Sequence, residues 1–227
     1  METNKEYCLE VWGSWACFTR PELKVERVSY DVITPSAGRA IFDAIFWKPA
    51  ISWHVTKIEV LSPIKWTSIR RNEVGAVAKP KTGPIYIQDK RQQRNTLLLK
   101  DVHYRIHAVM HYKKPEERTS NSREPGDDES PLKYQHIFER RAGKGQCFTQ
   151  PYLGNREFPA FFRLVPDDTS DPEPIAEDKD LGIMLYELDY ESSSQNGKGR
   201  ADAMFYRAEM KQGVIIVPEP DSQEILR

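Results

Sequence analysis

The chain has 227 residues, of which 39% are hydrophobic and 30% charged, with a formal net charge of -1. This composition suits a globular protein of one large domain, or one domain with a small appendage. No apolar run approaches the roughly 18 residues that cross a bilayer, and the N-terminal segment lacks the pattern of a signal peptide. Because the three Cys residues form neither a disulfide framework nor a zinc motif, we expect a reduced, cytoplasmic protein with no membrane partner.

The predicted elements begin with a short apolar strand, Tyr7–Trp12, followed by a loop that carries cations and aromatic rings. A helix is predicted over Pro35–Trp47, because Thr34 can cap it and apolar residues then repeat at helical spacing. In the loop before it, guanidinium and ammonium groups could bind phosphates, and aromatic rings could stack on bases. The loop therefore predicts an RNA-binding platform of Arg20, Lys24, Arg27 and Tyr30.

Alternating apolar residues predict further strands between this helix and a second one, and again after the second. The second helix begins after Ser130, a capping candidate, and ends at Gly143. The polar segment Lys113–Glu129 contains Pro and Gly, which predicts a loop. The predicted strands are Trp53–Val60, Ile64–Val74, Val102–Tyr112, Cys147–Leu153 and Phe158–Val165.

With one extra hairpin element inserted, the order strand, helix, strand, strand, helix, strand is typical of the ferredoxin-like or RRM-like fold. After Val165 comes an acidic, Pro-rich connector over residues 166–180, and then three apolar tracts that predict a small antiparallel appendage. The sequence therefore predicts an α+β protein with a ferredoxin-like domain at residues 1–165 and an antiparallel β appendage at residues 166–227. The three tracts are Leu181–Tyr190, Met204–Met210 and Val214–Val217.

The small net charge hides an uneven distribution of charged residues. From Pro63 to His111 roughly ten Lys/Arg stand against three acids, a local excess of about +7. From Pro166 to Glu191 roughly ten acids stand against one Lys, about -9. A single charged run is usually a solvated face, but this segregation predicts that the middle of the chain binds a polyanion.

A row of three histidines, His103, His107 and His111, falls at every fourth residue and would suggest metal ligands on a helix. The residues between them alternate as in a strand, where residues four apart lie about 13 Å from each other, too far for one ion. We therefore expect no metal site and no cofactor, and any nuclease chemistry should be metal-independent.

Five blocks of sequence carry a resemblance to a known family: Val11–Pro49, IRRNEV at Ile69–Val74, RQQR at Arg91–Arg94, Lys133–Phe148 and Pro151–Ala160. Together, and in this order, they resemble the CRISPR-associated Cas family five in its type I-C (Dvulg) branch. The resemblance implies a RAMP-type endoribonuclease that cuts the repeat RNA of a CRISPR transcript without a metal. It also implies that the protein stays on the 5′ handle of the crRNA, with other Cas subunits of the surveillance complex as partners. The sequence leaves open whether double-stranded DNA is a further partner.

Metal-free RNA cleavage needs a group that takes the 2′-OH proton, one that protonates the leaving oxygen, and cations for the phosphorane charge. The resemblance places these roles on a Tyr near the end of the first helix and a Lys-His pair opening the second. Here those positions hold Phe46, Lys133 and Tyr134. His136 shares a helical face with Lys133, and imidazole titrates near neutral pH, so His136 could replace the missing His. The phenol of Tyr134 could assist.

Further cations are candidates for binding phosphates. A Gly-Lys-Gly-Gln turn after the second helix resembles the glycine-rich loop of RAMP proteins, whose backbone N–H groups approach phosphates closely. The same glycines could simply cap the helix. The remaining RNA-binding candidates are Arg70, Arg71, Arg91, Arg94, Arg140, Arg141 and Lys144, whereas Trp47, Trp53 and Trp66 are expected in the core or at an interface.

Three functions follow from these patterns. The first is a repeat-RNA endoribonuclease that also binds the crRNA handle. The second is a structural subunit that holds the handle but cleaves weakly, because Phe46 and Tyr134 replace reactive groups. The third is an RRM-like RNA or DNA binder unrelated to CRISPR.

Overall fold

The structure, a computed structural model, describes residues 4–23, 25–79, 83–118, 126, 129–166, 171–189 and 201–227. Antiparallel strands make up most of the regular structure within these residues. The strands are β1 (Lys5–Ala16), β2 (Ile51–Val60), β3 (Trp66–Val74), β4 (Arg91–Tyr112), β5 (Phe161–Val165), β6 (Lys179–Asp189), β7 (Asp202–Lys211) and β8 (Val214–Ile216). The helices are α1 (Pro35–Ile45), α2 (Ile87–Lys90) and α3 (Pro131–Gly143), with a 3-10 turn at Pro115–Glu117.

The strands join in one sheet with the order β5-β1-β4-β2-β8-β7-β6, and β3 pairs with β4 beside this path. The helices α1 and α3 cover one face of this sheet. Phe42 of α1 and Phe138 of α3 both pack on Trp53 of β2, with ring centroids 4.8 and 4.6 Å away. The main core therefore lies between these two helices and the sheet.

Both long helices begin where their capping residues predict. Thr34 Oγ1 accepts a hydrogen bond from the backbone N–H of Ala37, at 3.2 Å, and Pro35 follows it at the first helical position. Ser130 Oγ accepts from the backbone N–H of Lys133, at 3.3 Å. Helix α1 ends at Ile45, two residues before its predicted end, because Phe46 adopts an extended conformation.

Strand β4 is long enough to serve two purposes. Its second half pairs with β1 and β2 inside the main sheet, whereas its first half forms a hairpin with β3. The halves meet at Asp101, whose φ of 53° lies in the left-handed region, which is uncommon for a residue other than Gly. The pairing with β1 keeps its register on both sides of this residue, with Gly13 opposite Val102 and Trp15 opposite Lys100. Asp101 therefore marks the junction between the part of β4 in the main sheet and the part in the β3–β4 hairpin.

Replacing Asp101 with Val should destabilise the fold by about 1–2 kcal/mol, since a β-branched residue clashes with its own backbone at positive φ. The measurement is urea unfolding followed by circular dichroism. Asp101→Gly is the control, because Gly adopts this φ without a clash. Equal unfolding midpoints for the Val and Gly variants would contradict the assignment of backbone strain to this position.

The strand predicted over Cys147–Leu153 is wrong. This segment is a loop whose first amides donate to the end of α1: the N–H groups of Phe148 and Thr149 both bond the Ala44 carbonyl, at 2.8 and 3.1 Å. Pro151 has no N–H to donate to a neighbouring strand. The apolar alternation thus reflects a loop with buried and exposed sides. Of the predicted loop Lys113–Glu129, residues 119–125 and 127–128 lie outside the described residues.

The C-terminal strands β6, β7 and β8 confirm the three apolar tracts predicted there. They extend the sheet through β8, which pairs with β2 over Val214–Ile216. Strand β6 also meets α1, because Arg39 Nη2 donates to Glu187 Oε1, at 3.1 Å, and Ser36 Oγ to the same oxygen, at 3.2 Å. The boundary between residues 165 and 166 stays a prediction. No helix within the described ranges is long and apolar enough to cross a membrane.

Candidate functional site

The two helices meet at a site formed by Phe46, Tyr134 and Arg141. Tyr134 and Arg141 are seven residues apart on α3 and therefore share one flank of that helix. The rings of Phe46 and Tyr134 have centroids 6.2 Å apart, and the Arg141 guanidinium lies 5.2 Å from the centre of the Phe46 ring. Arg141 Nη1 also donates to the Ile45 carbonyl, at 3.2 Å. The structure thus brings together two of the positions, Phe46 and Tyr134, that the family resemblance singles out.

Phe46 itself is a packing residue. It is only 1% exposed, and its carbonyl accepts a hydrogen bond from Trp53 Nε1 at 3.3 Å. A catalytic side chain must reach the RNA, and this ring neither does so nor carries a titratable group. The expectation that Phe46 takes part in catalysis is corrected accordingly: it forms the floor of the site.

Tyr134 lies in a partly buried polar environment. Its ring stacks near that of Tyr112, with centroids 6.2 Å apart. Burial, followed by the negative charge of Glu129, raises the pKa of Tyr134 to about 12. The phenol therefore keeps its proton at neutral pH, which suits it to donate a proton rather than to accept one.

A polar cluster missed by the sequence analysis holds this phenol in place. Arg118 donates from Nη2 to the Tyr112 hydroxyl, at 3.0 Å, and also bonds Glu129. The Tyr112 hydroxyl donates to Glu129 at 3.1 Å. The hydrogen bond from Arg118 holds the pKa of Glu129 below its usual range. No motif in the sequence announces this cluster, because Arg118 and Glu129 stand at the two ends of a segment that reads only as a polar loop.

His136 lies away from this site. It follows Tyr134 by two residues, which is roughly 200° around the helix axis. On that other flank, Glu139 accepts hydrogen bonds from Lys5 Nζ at 2.7 Å and from the Tyr7 hydroxyl at 3.0 Å. Burial opposes ionisation of Glu139, but these bonds and the nearby charge of His136 outweigh it and hold its pKa low. The structure therefore groups His136 with Glu139 and not with Tyr134 and Phe46.

Lys133 stands at the exposed start of α3, as the third residue of the helix and next to Tyr134 in sequence. Arg140 and Lys144 are also exposed, and no carboxylate pairs with either of them in the part of the chain described.

The glycine-containing turn after α3 acts as a helix cap: the N–H groups of Gly145 and Gln146 donate to the carbonyls of Ala142 and Arg141, at 3.1 and 2.9 Å. Those two amides are thus engaged, which corrects the expectation that they bind phosphates.

The β3–β4 hairpin divides its four arginines between two faces. Arg71 stands directly opposite Arg94, whereas Arg70 and Arg91 project from the other face because neighbouring residues of a strand alternate. Arg71 is held by carboxylates, since it bonds Glu157 and lies 3.7 Å from Glu73. Among the described residues, the hairpin therefore carries one face whose cations, Arg70 and Arg91, pair with no carboxylate, and one face where cations and acids are mixed.

The loop before α1 is brought against this mixed face. Arg27 lies 3.5 Å from Glu73 and 3.9 Å from Glu157. Tyr30 is only 1% exposed and is covered by Arg20, whose guanidinium lies 4.4 Å from the ring centre, so Tyr30 packs in the core rather than offering a ring to a base. Arg20 also pairs with Asp31 at 3.5 Å. Lys24, the remaining predicted member, lies outside the described residues.

The three histidines predicted on a strand do lie on β4. His103 bonds Glu10 at 2.8 Å and His107 bonds Glu59 at 3.2 Å. No group of three or more His, Cys, Asp or Glu side chains in the described ranges could hold a metal ion together.

Residues 6–218 match the model of the family described as "CRISPR-associated protein (Cas_Cas5)". Two curated relatives are both named "CRISPR pre-crRNA endoribonuclease Cas5d". The one from Mannheimia succiniciproducens is 47% identical over 239 residues, covering 96% of this chain and 97% of the relative. The one from Thermus thermophilus is 40% identical over 231 residues, covering 96% and 94%. The chain belongs to the Cas5 family, which confirms the family inferred from its sequence blocks.

Solved structures share the fold. One described as "Crystal Structure of CRISPR-associated Protein" gives a TM-score of 0.69 at 24% identity, covering 98% of this chain and 97% of that chain. The functionally uncharacterized protein SMU1763c from Streptococcus mutans gives a TM-score of 0.67 at 21% identity, with the same coverage. At these identities the likeness bears on the fold alone.

Proposed function

We propose that this protein is an endoribonuclease that cuts CRISPR repeat RNA into crRNA and stays on the 5′ handle as a subunit of the type I-C surveillance complex. The observation that carries the proposal is the near full-length identity of 47% and 40% to two relatives named as pre-crRNA endoribonucleases. Because the substrate is RNA, we place this cleavage in the cytoplasm. The test is incubation of the purified chain with the repeat RNA encoded beside its gene, in excess EDTA, with cleavage followed on a gel.

The reaction is a metal-independent transesterification. The 2′-hydroxyl gives its proton to solvent water, its oxygen attacks the adjacent phosphorus, and the bond to the 5′-oxygen breaks, so that the products are a 2′,3′-cyclic phosphate and a 5′-hydroxyl. Lys133 supplies positive charge for the phosphorane, and Tyr134 donates its proton to the leaving oxygen. The raised pKa of Tyr134 and the position of both residues at the start of α3 support these roles.

A second function, a subunit that holds the handle but cleaves weakly, is favoured by two observations. Phe46 has no titratable group at the family's Tyr position, and His136 lies on the far flank of α3, near Glu139. Tight binding of the repeat RNA with no cleavage in EDTA would support this second function over the first.

Phosphate binding is assigned to the exposed cations of the hairpin and of α3. If so, the double variant Arg70→Ala/Arg91→Ala should weaken repeat-RNA binding and lower the slope of log Kd against log salt by about 1.4–1.8, two phosphate contacts' worth. The double variant Arg71→Ala/Arg94→Ala should lower this slope less, since Arg71 is already paired with the carboxylates of Glu157 and Glu73. Fluorescence anisotropy at several salt concentrations measures the slope. The double variant Arg207→Ala/Lys211→Ala on β7 is a charge-matched control, and an equal loss of slope there would count against the assignment.

The fold is proposed to be ferredoxin-like, of the RAMP type. In support, the order β5-β1-β4-β2 with antiparallel neighbours is the arrangement of a split βαβ repeat, with α1 and α3 as its two helices. The β3–β4 hairpin is then an insertion before the third strand of the repeat, and residues 166–227 are the appended unit.

A further inference from the structure

A groove of about 910 Å³ lies between α1 and the loop at residues 148–156 that joins α3 to β5. Small side chains of α1, among them Ala37, Ala40 and Ala44, form its floor. The end of β6, at Leu185 and Leu188, closes one side. None of the residues assigned above to cleavage or to phosphate binding lines this groove.

Three aromatic rings stand exposed around this groove. Phe148 is 80% exposed, Trp47 58% and Tyr152 38%. Burial of a large aromatic side chain is favourable. A single exposed ring is common on a protein surface, but three exposed rings around one concave surface are unusual. Trp47 is expected from the sequence in the core or at an interface, and its exposure excludes the core, because α1 ends before it.

The loop that presents two of these rings is held firmly. The amides of Phe148 and Thr149 bond the Ala44 carbonyl, and the amide of Cys17 bonds the Leu153 carbonyl at 3.0 Å. Gly154 has a φ of 83°, and a Cβ there would lie 2.0 Å from the Cys17 carbonyl oxygen. Only Gly allows the loop to approach β1 this closely, so the rings are preorganised rather than free to collapse onto each other.

Polar groups in the groove match the parts of a nucleotide. The Asn155 side-chain N–H₂ is buried without a hydrogen-bond partner among the described residues, and rotation of this amide towards the groove would bring the donor to a base or phosphate oxygen. Arg156 is exposed and has no carboxylate partner there. Asp43, which also lines the groove, is paired with Arg39.

The groove also adjoins the proposed cleavage site. Ala44, whose carbonyl anchors the loop, stands two residues before Phe46, which contacts Tyr134. An RNA strand leaving the start of α3 along the end of α1 would meet Trp47 and Phe148 next.

We propose that this groove binds unpaired nucleotides of the RNA, with bases stacked on Phe148, Trp47 and Tyr152. Asn155 donates to a base or phosphate oxygen, and Arg156 binds a phosphate. Stacking accepts any base because every base has a π-face, so the groove adds affinity for single strands without reading sequence. This proposal rests on the proposed function, since it takes the ligand to be RNA. An apolar segment of a partner protein would cover the rings but would leave the Asn155 donor unsatisfied.

The test compares two charge-matched probes on the full chain: fluorescein-labelled octauridylate and an abasic ribose-phosphate octamer. Phe148→Ala and Tyr152→Ala should each raise the Kd for octauridylate roughly 5- to 150-fold, the range for removing one base–aromatic stack. Their Kd for the abasic octamer and their slopes of log Kd against log salt should stay at wild-type values, because no phosphate contact is lost. Phe148→Trp should bind like wild type, and Phe161→Ala on β5, which removes an exposed ring elsewhere, is the control.

Unchanged octauridylate affinity in Phe148→Ala and Tyr152→Ala, or equal losses for both probes, would overturn the proposal and make the groove a surface for a protein partner. Cleavage of repeat RNA in EDTA is measured alongside. Normal cleavage by the wild type together with unchanged octauridylate binding by the variants would remove the groove from RNA binding while leaving the endoribonuclease assignment intact.

Discussion

Replacing Tyr134 with Phe should slow cleavage of the repeat RNA by roughly 10²–10⁴-fold, the usual range for losing a general acid or base. The substitution removes only the hydroxyl and keeps the ring contacts with Phe46 and Tyr112. The affinity for the repeat RNA should stay the same, because the proposed phosphate contacts are made by exposed cations elsewhere. Single-turnover cleavage with enzyme in excess over labelled RNA measures the chemical step directly.

The matched variants separate Tyr134 from its neighbours on α3. Lys133→Ala should slow cleavage by about 10²–10³-fold through lost charge stabilisation of the phosphorane. His136→Ala should cleave at nearly the wild-type rate, because His136 lies beside Glu139 on the opposite flank of the helix. A 10²-fold or larger defect in His136→Ala, with normal cleavage by Tyr134→Phe, would move the proton transfer to the imidazole.

The pH dependence gives an independent check on Tyr134. A general acid works in its protonated form, and burial and the charge of Glu129 raise the pKa of this phenol to about 12, well above neutral pH. The single-turnover rate should therefore not fall between neutral pH and about pH 10. A rate that declines from about pH 7 upward would indicate an imidazole acid instead.

Replacing Phe138 with Ala should lower the free energy of unfolding by about 3–5 kcal/mol, the usual cost of deleting a fully buried aromatic ring. Phe138 is fully buried, and its ring centroid lies 4.8 Å from that of Tyr7 and 4.6 Å from that of Trp53. It joins α3 to the sheet, so the loss is a large share of the roughly 5–15 kcal/mol that stabilises a typical domain. Urea unfolding monitored by Trp fluorescence measures it.

Two controls accompany the Phe138 variant. Phe138→Leu keeps most of the buried volume and should lose much less stability than Phe138→Ala. Phe161→Ala removes a ring that is mostly exposed and should change stability by no more than about 0.5 kcal/mol. Similar unfolding midpoints for Phe138→Ala and Phe161→Ala would show that α3 does not depend on this contact.

The sequence alone predicts the elements whose signals are local. The caps Thr34 and Ser130 mark the starts of α1 and α3, and alternating apolar residues mark β2 and the second half of β4. Each signal depends on residues close to one another in the chain, so it can be recognised in the sequence without knowledge of the tertiary structure. The one misassigned strand, Cys147–Leu153, fails because its amides find their acceptor on α1, about a hundred residues earlier in the chain.

The family blocks in the sequence also identify the RNA-processing class and point to Lys133 and Tyr134. They leave open whether His136 or Tyr134 takes the proton-transfer role, since residues 133–136 all fall in one helical turn. Only the packing of α3 against α1 decides which flank faces Phe46, because the rotation of a helix is set by long-range contacts such as those of Phe138. In the same way, only the register of β3 against β4 separates Arg70 and Arg91 from Arg71 and Arg94. Pairing between distant strands also brings Glu157 to Arg71 and the loop at residues 148–156 to Trp47, and no local pattern carries that information.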